Sequence, residues 1–205
     1  IPLSLPVNII AGSVIKRLAS GRSHGVAVVA EGLIEKIRLE DLEEANCIER
    51  DDHGHVRYAE INFSEVLKRE LIALLAGSGI KMTVNNKEVG YEVRCAPPVA
   101  FDIEYTRNLG YAAFDFLRNG GTNAIISIQD NRIVPISFGE IMDPATGRTR
   151  VRLVNTESIQ YRVARDYMIR LEKEDLLPGQ GLEKLAAAAG MTPEEFESRF
   201  RNVIQ

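Results

Sequence analysis

The sequence predicts an α/β fold, and three observations carry that expectation. Residues 26–30, Val-Ala-Val-Val-Ala, form an unbroken apolar run of strand length, the pattern of a strand buried on both faces as in a parallel sheet. Elsewhere apolar residues recur three and four apart, the spacing of one helix face, as in Val66, Leu67, Leu71, Leu74 and Leu75. Residues 124–128 and 132–136 read as two strands around the polar turn Gln129-Asp130-Asn131.

Residues 1–8, punctuated by Pro2 and Pro6, are expected to lead in as extended chain. Residues 9–20 place Ile10, Val14, Ile15 and Leu18 on one helical face with Lys16 and Arg17 outward, and Gly21 closes the helix. A turn over residues 21–25 then feeds the strand at 26–30, and Glu31 stands at its end, followed by Gly32. Ligands of open α/β sheets bind beyond the carboxyl ends of strands, so a carboxylate there can accept hydrogen bonds from hydroxyl groups. The alternative is a capping or first-turn glutamate for the next segment. Asp51, Asp52, His53 and His55 invite a metal reading, but a solvated turn around Asp52-His53-Gly54 explains the same residues. Residues 56–61 suit a short strand. Asn62, with Glu65 three residues on, starts a helix that Gly77-Ser78-Gly79 ends, and residues 80–84 suit another strand.

The densest polar cluster follows. Gly90-Tyr91-Glu92-Val93-Arg94 sets a hydroxyl, a carboxylate and a guanidinium just after a glycine, and Pro97-Pro98 rules out a central strand or a helix interior. Polar groups on a stiff turn between regular elements suit recognition of a small polar molecule. Equally, Tyr91 and Glu92 can be plain surface residues, with Arg94 paired to a nearby acid. Asp102 is expected to cap a helix over residues 103–117 whose core stripe is Leu109, Ala113, Phe116 and Leu117, with Gly110 permitting close packing. Gly120-Gly121 lacks the lysine and hydroxyl residue that a phosphate-cradling loop needs. Arg148, Arg150 and Arg152 alternate along an extended segment, as edge protection or as an anion contact. A helix is expected over 156–173, and beyond the break at 177–181 a helical hairpin over 182–189 and 192–204, with Thr192 as N-cap and Pro193 first in its helix.

Composition narrows the function classes. With 205 residues, 45% apolar and 26% charged, the chain matches ordinary globular proteins and can bury a full core. A net charge of −4 argues against a nucleic-acid binder, which needs concentrated positive surface. No run of about eighteen apolar residues suits a membrane span. Cys47 and Cys95 have no paired spacing, so a reducing, cytoplasmic setting is expected, with no metal cluster.

The order Gly90-Tyr91-Glu92-Val93-Arg94, then Asp102, then an apolar helix containing Leu109-Gly110-Tyr111-Ala112 resembles the C-terminal half of the phosphofructokinases. It is most similar to the pyrophosphate-dependent branch, the diphosphate:fructose-6-phosphate 1-phosphotransferases. Bacterial ATP-dependent members usually carry Gly-His-x-Gln-Arg-Gly-Gly where this chain has residues 90–96. Upstream, residues 23–32, Ser-His-Gly-Val-Ala-Val-Val-Ala-Glu-Gly, resemble the family's apolar strand that ends in a sugar-contacting glutamate. The family pattern often has Asp-Arg where this chain has Asp102-Ile103, so no role passes to position 103.

The resemblance implies a Rossmann-like three-layer sandwich of the phosphofructokinase type. Residues 1–176 would be the fructose 6-phosphate-binding half and 177–205 a helical extension, the donor-binding and catalytic N-terminal half lying outside the chain. It implies a glycolytic transferase that moves a phosphoryl group from pyrophosphate, with Mg²⁺, to the 1-hydroxyl of fructose 6-phosphate. Glu31 would meet sugar hydroxyls, and the segment Tyr91, Glu92, Val93 and Arg94 would hold the sugar and its phosphate. The family's glycine-rich donor loop and its Thr-x-Asp segment are not found, so no catalytic residue or metal ligand is expected here, Mg²⁺ falling mainly to the missing half, and the chain alone is expected to be inactive. Two alternatives stand beside this reading: ATP as the donor, and a non-catalytic regulatory subunit that binds sugar phosphate. A homodimer or higher homo-oligomer is the expected assembly.

Overall fold

A computed structural model describes residues 1–48, 50, 51, 54, 56–145, 147, 149, 150 and 153–204. The chain divides into two compact units, one made of residues 1–88 and 164–205, the other of residues 89–163.

The first unit is helical. Helix α1, Ser4–Ala19, starts earlier than the sequence suggested. Pro6 falls in its first turn, where the backbone N–H groups have no partner within the helix, so a residue without that donor is tolerated. The Leu3 N–H donates to Asp41 Oδ2 at 2.6 Å, which ties the start of α1 to the short helix α2, Leu39–Glu44. Helix α3, Phe63–Gly77, begins as expected: Asn62 Oδ1 accepts from the Glu65 N–H at 3.0 Å. Replacing Asn62 with alanine is therefore expected to lower stability by about 1 kcal/mol, and a change of less than a few tenths in urea unfolding would remove the cap from the account.

Three expected strands do not form. Residues 22–30 have no regular structure, and Val26 and Val28 are 93% and 94% exposed. A strand needs neighbours to bond its backbone and cover its faces, and the described residues supply none for this run. Residues 80–84 behave similarly, although Ile80, Met82 and Val84 alternate inward and rest against the helical core. Residues 56–61, expected as a strand, contribute one isolated bridge between Val56 and Arg50 and a 3₁₀ turn at Tyr58–Glu60. Asp52, His53, His55, Arg148 and Arg152, which carried the metal and edge readings, lie outside the described residues.

The core of this unit joins both ends of the chain. Helices α8, Gln180–Ala188, and α9, Pro193–Phe200, form the expected hairpin. Thr192 and Glu195 cap α9 reciprocally, the Glu195 N–H donating to Thr192 Oγ1 at 3.2 Å and the Thr192 N–H to Glu195 Oε2 at 2.8 Å. Phe196, Phe200, Ile15, Leu42 and Leu75 are fully buried, each contributing about 1.5–3 kcal/mol of burial. Gly12 lets Leu171 approach closely: a Cβ there would lie 2.5 Å from Leu171 Cδ1, which would have to shift. At the rim, Lys16 Nζ donates to Asp175 Oδ2 at 2.6 Å and to the Arg170 carbonyl at 3.0 Å, and Arg165 pairs with Glu172.

The second unit contains α4, Tyr91–Arg94; α5, Ala100–Arg118; β1, Ala124–Gln129; β2, Arg132–Ser137; and α6, Phe138–Ile141. Helix α7, Ile159–Tyr167, is shorter than the expected 156–173 and runs across the boundary between the units. Strands β1 and β2 make an antiparallel hairpin around Asp130 and Asn131, whose φ angles of 48° and 61° are those of a type I′ turn. Helix α5 departs from expectation. Asp102 sits in its first turn and accepts from the Val99 N–H at 3.0 Å, so the helix begins at Ala100 rather than after Asp102. Leu117 is exposed, and nothing approaches the open side of Gly110. Ala112, at 2% exposure, is the one buried hydrophobic residue described in this unit, because a two-stranded hairpin and short turns cannot cover a helix of 19 residues.

Candidate functional site

The polar cluster at residues 90–94 folds as a single helical turn. The Gly90 carbonyl accepts from the N–H groups of Val93 at 3.2 Å and Arg94 at 3.3 Å, and Glu92 Oε2 accepts from the Gly90 N–H at 3.4 Å. That last contact is not legible in the sequence, since a carboxylate two residues on reaches back only if the chain curls at Gly90. The Val93 carbonyl accepts from the Ala96 N–H at 3.3 Å and extends the curl toward the proline pair. Val93 is exposed, as are Glu92 and Arg94, and the space beside Gly90 is open.

The structure therefore joins Tyr91, Glu92, Val93 and Arg94 on one exposed turn ahead of α5. Phe101 and Tyr105, in the first turns of α5, stack with ring centroids 5.5 Å apart and stiffen its start. Glu31 belongs to the first unit, where it opens a 3₁₀ turn, Glu31–Lys36, beside the open space at Gly32.

Cys47 and Cys95 are both free thiols. Burial pushes the Cys47 thiol above its ordinary pKa, partly offset by the Arg69 guanidinium, and its S–H donates to the Leu42 carbonyl at 3.1 Å. That thiol is a packing group rather than a nucleophile. Among the described residues no group of three or more His, Cys, Asp or Glu could hold a metal ion, so the Mg²⁺ implied by the resemblance finds no ligand set there. No helix among them is long and apolar enough to cross a membrane.

No protein-family model matches the chain. It is 42% identical over 201 residues to a pyrophosphate–fructose 6-phosphate 1-phosphotransferase of Naegleria fowleri, a match covering 97% of this chain. A protein of the same name from Thermotoga maritima is 43% identical over 200 residues, or 94% of this chain. The chain resembles pyrophosphate-dependent phosphofructokinases along almost its whole length. An ATP-dependent 6-phosphofructokinase of Amycolatopsis methanolica is similar over less, 28% identical across 60% of the chain and 27% of its own length. The chain spans about half the length of the two pyrophosphate-dependent phosphofructokinases, 46% and 47%. The resemblance read from the motifs at residues 23–32 and 90–112 is thus matched along almost the whole chain, and the helices with the β1–β2 hairpin are compatible with an α/β fold.

Proposed function

We propose that the chain is the fructose 6-phosphate-binding half of a pyrophosphate-dependent phosphofructokinase. The observation that carries this reading is the extent of similarity: relatives named for pyrophosphate match 94% and 97% of the chain, against 60% for an ATP-dependent relative. In the complete enzyme the 1-hydroxyl oxygen of fructose 6-phosphate attacks a phosphorus of pyrophosphate. A new P–O bond forms as the bond to the bridging oxygen breaks, phosphate leaves, and the hydroxyl proton passes to a base in the donor-binding half. Mg²⁺, held by the donor-binding half, would screen charge on the phosphates.

The parts assigned to this chain are binding and orientation. Arg94 presents a planar cation suited to the 6-phosphate, which a guanidinium can grip with two parallel N–H donors. Glu31 accepts hydrogen bonds from sugar hydroxyls, and Tyr91 adds a phenolic group to the same substrate. Held this way, the sugar offers its 1-hydroxyl to the donor half in one orientation, which lowers the entropic part of the barrier. For Glu31 and Arg94 to share one sugar, the segments at 26–30 and 80–84 are expected to become strands of the family's Rossmann-like three-layer sandwich once the rest of the sheet is present. The enzyme is expected in the cytoplasm as a homodimer or larger homo-oligomer.

The test is fructose 6-phosphate phosphorylation by the intact parent protein with Mg²⁺, comparing pyrophosphate with ATP. Turnover with pyrophosphate only is expected, together with no fructose 1,6-bisphosphate from the 205-residue chain alone. Turnover with ATP only would transfer the assignment to the ATP-dependent branch, which the similarity to the Amycolatopsis methanolica protein keeps in view. No turnover with either donor would favour a regulatory subunit that binds sugar phosphate.

A further inference from the structure

Helix α1 ends in a turn that its own Arg17 holds. Gly21, at φ 81°, donates its N–H to the Leu18 carbonyl at 2.9 Å, and the Arg22 N–H donates to the Arg17 carbonyl at 2.9 Å, the double closure of a Schellman turn. The Arg17 side chain then follows the chain onward, its Nε–H donating to the His24 carbonyl at 2.6 Å. Gly25 lies against the same side chain, since a Cβ there would stand 3.0 Å from Arg17 Nε and 3.2 Å from Cδ. Gly25 has no positive φ, unlike Gly21, so what the missing Cβ supplies is room for Arg17 rather than backbone freedom. Arg17 itself belongs to a well-seated helix, because α1 buries Ala11 and Ile15 completely.

The run that follows needs such an anchor. Alternation of apolar and polar residues normally specifies a strand's register, because a slip of one residue turns every side chain to the other face. Residues 26–30, Val-Ala-Val-Val-Ala, are apolar throughout. A slip would put the same kind of residue on either face, so the run does not state where it begins or stops. The contacts of Arg17 lie at its entrance, and Glu31 stands at its exit. A slip of one residue would carry Glu31 about 3.3 Å along the strand and turn it to the opposite face, which is enough to lose a hydrogen bond.

We propose that Arg17 is a positioning residue for sugar binding: by holding the His24 carbonyl and the backbone at Gly25, it sets where residues 26–30 begin and so where Glu31 presents its carboxylate. The proposal rests on the functional reading above, in which 26–30 becomes a strand of the complete enzyme and Glu31 accepts from sugar hydroxyls. Arg17 meets no substrate in this account. Its whole effect on binding passes through Glu31, which makes the two residues non-additive.

A double-mutant cycle in the full-length protein tests this, with the Kd for fructose 6-phosphate read by calorimetry and KM and kcat read with pyrophosphate and Mg²⁺. Glu31→Ala is expected to weaken sugar binding roughly tenfold, and Arg17→Ala by about two- to tenfold, with KM for pyrophosphate unchanged. In the Glu31→Ala background, Arg17→Ala is expected to add less than about twofold. Arg17→Lys, whose ammonium reaches one bond further than Nε, should restore most of the loss. Gly25→Ala presses a Cβ into the Arg17 side chain while keeping its charge, and should weaken binding in the same direction; it carries the test should Arg17→Ala not fold. A full further loss from Arg17→Ala in the Glu31→Ala background would mean that Arg17 acts independently of Glu31. A fall in unfolding temperature with kcat and both KM values altered together would make Arg17 plain support for the fold. Either result overturns the proposal. Weakened binding in Glu31→Ala with wild-type binding in Arg17→Ala and Gly25→Ala sinks the positioning role alone. Unchanged binding in Glu31→Ala strikes the sugar contact and the positioning role with it, whereas the expected cycle in Kd without turnover sinks only the reading of the protein as an active transferase.

Discussion

Replacing Phe196 with alanine is expected to destabilise the first unit by about 3–5 kcal/mol. The side chain is completely buried, and its ring centroid lies 4.7 Å from that of Phe200, tilted by 43°. Helix α9 packs against α8 and α1, and Ala11, Ile15, Ala186 and Ala189 are buried in the same core, so helix backbones leave little room to collapse into the space left. A domain's whole stability is about 5–15 kcal/mol, so the variant should be largely unfolded at moderate temperature. Phe196→Leu, which keeps most of the volume, should lose clearly less. Urea unfolding followed by far-UV circular dichroism reads the difference, and a loss below about 1 kcal/mol for the alanine variant would mean that the core can repack.

In the intact enzyme, Arg94→Ala is expected to raise KM for fructose 6-phosphate by roughly ten- to a hundredfold, the value of about 1.5–3 kcal/mol for a hydrogen bond to a charged group. Arg94→Lys should recover only part of that, because an ammonium cannot reproduce the two parallel donors of the guanidinium. Arg94 is exposed on the one-turn helix α4, so thermal unfolding of the 205-residue chain should hardly change. That contrast separates substrate binding from support of the fold. Unchanged KM values in both variants would strike Arg94 from the site, and a fall in unfolding temperature matching the loss of activity would make it a structural residue.

What could be read from the sequence was local. Asn62 and Glu65, Thr192 and Glu195, and the Asp130-Asn131 turn each state their conformation within a few residues, and each is found where expected. The start of α1 was missed because Pro2 and Pro6 suggest extended chain unless one asks which N–H groups a first turn can spare. The runs at 26–30 and 80–84 failed differently. Their strand-like pattern reports which faces want burial, but a strand exists only with a bonded neighbour, and no neighbour's identity is written in the run itself. The candidate site divides along the same line. That Tyr91, Glu92, Val93 and Arg94 share one turn follows from Gly90 and the prolines after it. Whether Glu31 meets them depends on long-range assembly, which spacing along the chain does not encode.

The first unit takes residues from both ends of the chain, with the second unit inserted between them. That has a consequence for the order of events at the ribosome. Helix α1 leaves the ribosome well before Phe196 and Phe200, the aromatic pair of the same core. At about 5–20 residues per second, the apolar side of α1 waits roughly ten to forty seconds for Phe196 and Phe200. Through that interval the nascent chain carries an amphipathic helix whose apolar face is only partly covered, a natural ligand for a holdase chaperone. A stop codon ahead of Phe196 would make the exposure permanent and direct the product toward degradation rather than folding.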